Sequence, residues 1–142
     1  KGVWMDAILV VGRILFALIF INSGIAHFTK NAAMTGYAQY KKVPMPRASV
    51  YISGLMILLG GLYIVLGFYA DLGALLIAIF LIPTAFLMHN FWKETDPTAK
   101  QNETIAFFKD LALAGASLVM FAVLHAGANF GPQVGTLLFF KN

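Results

Sequence analysis

Between Arg47 and Lys93 the only aspartate, glutamate, lysine or arginine is Asp71, set among aliphatic, aromatic and small residues. A helix of about 20 apolar residues, rising about 1.5 Å each, crosses the hydrocarbon of a bilayer. Two such spans fit here, from about Val50 to Tyr69 and from about Leu72 to His89. They are joined by a tight hairpin at Gly67-Phe68-Tyr69-Ala70-Asp71. Two more flank them. One runs from about Val3 to Ala26, with Asp6 and Arg13 near its start. The other runs from about Ile105 to Leu124, with Lys109 and Asp110 in its opening turns.

Composition agrees. Charged residues make up 11% of the 142 positions and hydrophobic ones 60%, and the mean hydropathy is +0.80. A soluble domain carries about a quarter charged residues to cover its surface. The expected fold is therefore all-α: residues 1–142 form one transmembrane four-helix bundle. Residues from about Phe28 to Ala48 make a long loop in which Tyr37, Ala38 and Tyr40 support a short interfacial helix, stopped by Pro44 and Pro46. The last apolar piece, Val134 to Phe140, is too short to span and should lie against the bundle or at the interface.

The net charge of +4 does not indicate nucleic acid, because the basic residues lie in loops and form no continuous face. The two long loops carry Lys30, Lys41, Lys42, Arg47, Lys93 and Lys100, against Lys1, Arg13 and Lys141 on the terminal side. By the positive-inside bias the long loops face the cytoplasm of a bacterial or archaeal cell. The absence of cysteine removes disulfides, Cys-ligated clusters and thiolate catalysis. No GxSxG, HExxH, P-loop or GxGxxG is present, so catalytic residues are unknown and no metal site is assigned.

Glycines stud the second span, with sevenfold spacing between Gly54 and Gly61 and between Gly60 and Gly67. Close helix packing explains such a face more simply than a cofactor groove does. Pro83 sits inside the third span, where it frees the carbonyl of Ile79; Thr84 is a candidate local partner.

Ionisable groups inside a span are costly and mark either function or a paired contact. The first and third spans run in the same direction. His27 closes one and His89 the other, so both imidazoles arrive at one membrane face. The fourth span starts there, bringing Lys109 and Asp110 to a similar depth. Asn22, Asn90, Trp92 and Glu103 are near in depth. His27, His89, Lys109 and Asp110, with Asn22, form the candidate pocket for a quinone or lipid. An imidazole or lysine there would bond a quinone carbonyl, with Asp110 orienting it or relaying a proton. A metal or haem held by the two histidines is a second reading, and a satisfied interfacial network a third. At the opposite face Arg13, His125 and Asp71 should gather, with Asp6 offset from Arg13 by more than one helical turn. Arg13 is read as a lipid or subunit contact, as are Lys41, Lys42 and Arg47 in the long loop.

Several of these residues carry a family resemblance. Arg13, then Ser23-Gly24-Ile25-Ala26-His27-Phe28, the loop proline Pro44 and the glycines from Gly54 to Gly67 resemble the DoxX-like family of small four-helix membrane proteins. His89 and the run Phe107-Phe108-Lys109-Asp110-Leu111-Ala112-Leu113-Ala114-Gly115 extend the likeness over nearly the whole chain. Two positions depart from that pattern: Ser53 stands where members often have an acidic residue, and Asp110 where they tend to have asparagine. The resemblance implies an accessory subunit of a membrane redox complex, without a prosthetic group of its own and with quinone as its candidate ligand. Related proteins look like parts of thiosulfate:quinone oxidoreductases and terminal oxidase assemblies, or partners of soluble redox-protective enzymes. A small quinone-linked oxidoreductase, and a scaffold recruiting soluble enzymes through the Lys41–Arg47 loop, are the alternatives. Expected partners are membrane lipids and a larger membrane complex.

Overall fold

The computed structural model describes residues 2–140; Lys1 and Lys141, two of the charges weighed for orientation, lie outside them. Helices α1 (Gly2–Thr29), α2 (Asn31–Tyr40), α3 (Pro46–Leu66), α4 (Ala70–Met88) and α5 (Pro97–His125) follow in order, with a 3₁₀ turn at Phe91–Lys93 before the last. Four of them, all but α2, are long and apolar enough to cross a membrane. This is the expected all-helical bundle, with α2 as the short helix of the long loop.

Local chemistry sets the ends. Pro46 occupies the first turn of α3, where its missing N–H costs nothing. Asp96 caps α5 by accepting from the Ala99 N–H at 2.9 Å, with Pro97 following it. That cap starts α5 about two turns before its apolar stretch. The early start brings Glu103 onto the helix.

The surface is that of a protein solvated by lipid. Trp4, Ile8, Leu15, Ile52 and Val119 are exposed, while the core is made of Ile57, Ile64, Ile77 and the alanines 70, 74, 78 and 85. Small residues at the contacts replace the hydrophobic drive that is absent between helices in lipid. On α3 the buried positions Val50, Gly54, Ile57, Gly61 and Ile64 step by four and three, the seam of left-handed packing. A Cβ at Gly60 would lie 3.0 Å from the Gly73 carbonyl oxygen and one at Gly73 2.8 Å from that of Gly60. The α3–α4 crossing therefore requires both glycines. Helix packing explains them.

Helix α1 packs on α3, α3 on α4 and α4 on α5, whereas α1 has no extended packing against α4 or α5. The bundle is thus open along one side.

The end at which α3 meets α4 is closed by the C-terminal segment. Its residues Phe130 and Leu137 enter the core, and its backbone bonds to the α3–α4 hairpin through Val134 N to Leu66 O, Gly135 N to Gly67 O and Tyr69 N to Thr136 O. Asp71, fully buried, accepts from the N–H of Leu138 at 2.9 Å and of Phe139 at 2.7 Å. Arg13 completes the closure. It is only 4% exposed, and its guanidinium donates to the carbonyls of Ile64 (2.8 Å), Val65 (2.7 Å), Phe130 (2.9 Å) and Pro132 (2.7 Å). The Phe130 ring lies 4.8 Å from its central carbon.

This accounts for every orphan carbonyl in the last turn of α3. Tyr63 is taken by Gly67, Leu66 by Val134, and Ile64 and Val65 by Arg13. In a bilayer no water stands ready to do so. The assignment of Arg13 to lipid or subunit contact is therefore corrected: four of its N–H donors meet backbone acceptors on two elements, so the side chain turns inward. Asp6 accepts from the side-chain amide of Asn129 instead of pairing with Arg13. His125 reaches the same end but lies against the Phe140 ring, 4.3 Å between centroids.

Candidate functional site

A cavity of about 700 Å³ fills the gap on the open side, at the end where α1 finishes and α5 begins. Its walls are apolar: Phe20 from α1, Met56 and Ile57 from α3, Phe80 and Leu87 from α4, Leu113 from α5. Pro83 and Thr84 also line it, so the interrupted turn of α4 faces the cavity. Helix α2 contributes Ala33, Met34, Tyr37 and Ala38 across one end. Polar groups collect there. His27, His89, Lys109 and Asp110, carried by three different helices, all border this one space.

His27 owes its place to Gly54, where a Cβ would lie 2.5 Å from the His27 Cβ. Its Nδ1–H donates to the Ser23 carbonyl at 2.6 Å, and its ring stands edge-on to Phe80. The other nitrogen, Nε2, has no hydrogen-bond partner among the described residues. In the neutral ring Nε2 is an acceptor open to a ligand hydroxyl, and with a second proton it would donate to a ligand oxygen.

His89 is committed differently. It caps the C-terminus of α4; its Nδ1 donates to Glu103 Oε2 at 2.7 Å, and its Nε2 stands 3.5 Å from Asp110 Oδ2. Glu103 and Asp110 are seven residues apart, hence two turns apart on one face of α5, and bracket the imidazole. Asp110 is 6% exposed. Lys109, beside it, is exposed at the cavity's edge. With both ring nitrogens facing carboxylates, His89 has none to spare as an axial ligand for haem. No group of three or more His, Asp or Glu among the described residues is disposed to hold a metal ion.

Two residues join the site that the sequence did not assign to it. The Tyr37 hydroxyl donates to Glu103 Oε1 at 2.5 Å, extending a chain from Asp110 through His89 and Glu103 to α2. Glu103 could have been read from its spacing to Asp110; nothing in the sequence places Tyr37 opposite it. Lys41 then ties the end of α2 to the α4–α5 connection, donating to Asn90 Oδ1 (2.7 Å) and pairing with Glu94 (2.8 Å). Its expected role at lipid or a partner is corrected: it is 9% exposed, because a carboxylate and an amide close by outcompete the headgroups. Lys42 and Arg47 remain exposed. Asn22 is exposed on α1 and does not border the cavity; Ser23 does, one residue on. A step of one residue turns a helix by about 100°, which carries Asn22 away.

Tyr37 lies outside the spans, and burial, reinforced by its hydrogen bond to Glu103, holds its phenol well above the usual range. A raised pKa favours the protonated form in the fold. That contribution is complete below about pH 10, the ordinary phenol value, and is lost as pH climbs through the raised one. In an alkaline absorbance titration, wild type and Tyr37→Phe should show the same tyrosinate signal up to about pH 11. An extra tyrosinate in wild type by that pH would contradict the Tyr37–Glu103 hydrogen bond.

The fold and site define a class: a small four-span membrane protein with a side-opening apolar cleft and an acid–imidazole end. The chain belongs to the DoxX family, whose profile matches residues 8–90. It is similar to the inner membrane protein YphA of Escherichia coli (strain K12), 32% identical over 130 residues that cover 89% of each chain. No solved structure matches the chain.

Proposed function

We propose that this chain is an accessory subunit of a bacterial or archaeal cytoplasmic-membrane redox complex, and that its cleft receives a quinone head group from the bilayer. The observation that carries this reading is the cavity itself: about 700 Å³, within the range of about 300–1,000 Å³ typical of ligand sites, apolar along its length and polar at one end. A quinone has the same distribution, a flat apolar ring with two carbonyl oxygens. His27 Nε2, protonated, would donate to one carbonyl, and Lys109 at the edge could reach the other. The gap between α1 and α4–α5 gives entry from lipid, and by the positive-inside bias this end would face the cytoplasm.

A second reading, a small quinone-linked oxidoreductase, has its own observation. The chain Asp110–His89–Glu103–Tyr37 could carry a proton between cleft and loop surface, while the electrons come from a partner's redox centre. The scaffold reading loses one of its cations, since Lys41 is buried.

Two measurements test the main reading. Extraction in gentle detergent should bring this chain out with a larger membrane complex. The purified chain should bind a short-tail benzoquinone saturably, one per chain. A monodisperse lone chain that takes up quinone only in proportion to its detergent would refute it.

A further inference from the structure

A second recess, of about 370 Å³, lies outside the cleft, where α1 gives way to α2 beside the first turn of α3. It is bordered by Thr29, Asn31, Thr35, Arg47 and Tyr51, with Phe28 beneath. Arg47 is exposed and belongs to none of the ion pairs among the described residues. The wall facing it is fixed: Asn31, 9% exposed, donates to the His27 carbonyl and accepts from the Thr35 hydroxyl. An unneutralised guanidinium beside the remaining amide N–H of Asn31 and the Tyr51 hydroxyl suits a phosphate.

The neighbourhood indicates which phosphate. The recess opens at the ends of two membrane-crossing helices, the depth of lipid headgroups. Below it the Phe28 and Tyr51 rings lie 5.7 Å apart. One helical turn deeper on the same faces come Ile25 and Leu55, both about half exposed. Together they form an apolar track leading down from the recess, of use to acyl chains and of none to a soluble anion. We propose that this recess holds the phosphate of an anionic phospholipid, with Arg47 as its cation and the Phe28–Tyr51 track beneath its chains. The site is separate from the cleft and does not depend on what the cleft binds.

The test uses the full chain in mild detergent and native mass spectrometry. The probes are phosphatidylglycerol, a diacylglycerol without phosphate, and inorganic phosphate. One phosphatidylglycerol per chain should be retained in preference to the other two. Arg47→Gln should weaken it about fivefold, while Lys100→Gln, an exposed cation elsewhere on the same face, should not change it. Arg47 makes no hydrogen bond that the fold needs, so its variant should melt as wild type does. Undiminished binding by Arg47→Gln would overturn the proposal, as would an equal loss in Lys100→Gln. Diacylglycerol binding as well as phosphatidylglycerol would show that phosphate is not recognised. Displacement by inorganic phosphate at comparable concentration would show that the ligand is a soluble anion.

Discussion

Replacing Arg13 by methionine is expected to destabilise the protein by on the order of 4 kcal/mol and to free its C-terminal segment. Hydrogen bonds from a charged donor contribute about 1.5–3 kcal/mol each, and Arg13 makes four. They do not add, because water and headgroups recover part of the loss once the segment lifts. Methionine fills much the same volume, so the loss measured is that of the donors. Lysine at this position keeps the charge but places three donors on one nitrogen, and cannot serve carbonyls on both α3 and the C-terminal segment. It should recover less than half. Thermal unfolding in detergent reads the stability. Hydrogen exchange at Leu138 and Phe139 reads the release; these amides, held by Asp71, should exchange faster although their own partner is untouched. An unchanged melting point with an unchanged exchange pattern would refute the role given to Arg13.

The second large effect falls on the cleft. His27→Ala should weaken quinone binding about tenfold with little change in stability, since the lost side chain bonds only to its own helix. His89→Ala should cost both, because Glu103 and Asp110 would face each other across an empty position. Adding Asp110→Asn to His89→Ala should restore part of the stability and none of the binding. That difference separates ligand contact from support. Titration with a short-tail benzoquinone beside thermal unfolding measures both. If the His27→Ala, His89→Ala double variant bound quinone like wild type, neither imidazole would be a contact.

The four spans are legible because lipid imposes a simple demand: long runs without charge. The start of α5 was less so, since hydropathy registers the stretch from Ile105 and not the Asp96–Pro97 cap that begins the helix earlier. The convergence of His27, His89, Lys109 and Asp110 follows from the alternating direction of crossings, which needs no side-chain detail. Direction fixes depth but not rotation, so depth alone points to Asn22 where rotation turns Ser23 into the pocket. Arg13 departs from its expected role for a different reason. A cation near a span end ordinarily reaches for headgroups, and its acceptors here are backbone carbonyls, identical at every residue and silent in a sequence. Lys41 and Glu94 are far apart along the chain, and only the placement of α2 brings them together.

The proposed role requires that a quinone sit in the cleft. A quinone carrying a photoreactive group on its short tail, irradiated with the full chain in lipid bilayers and mapped by peptide sequencing, locates it directly. The expected adducts fall on cavity residues of α1 and α4, such as Phe20, Ser23, Phe80 and Leu87, and unlabelled quinone removes them. Labelling that instead spreads over lipid-facing positions such as Leu15, Ile52 and Val119, and resists competition, would contradict it.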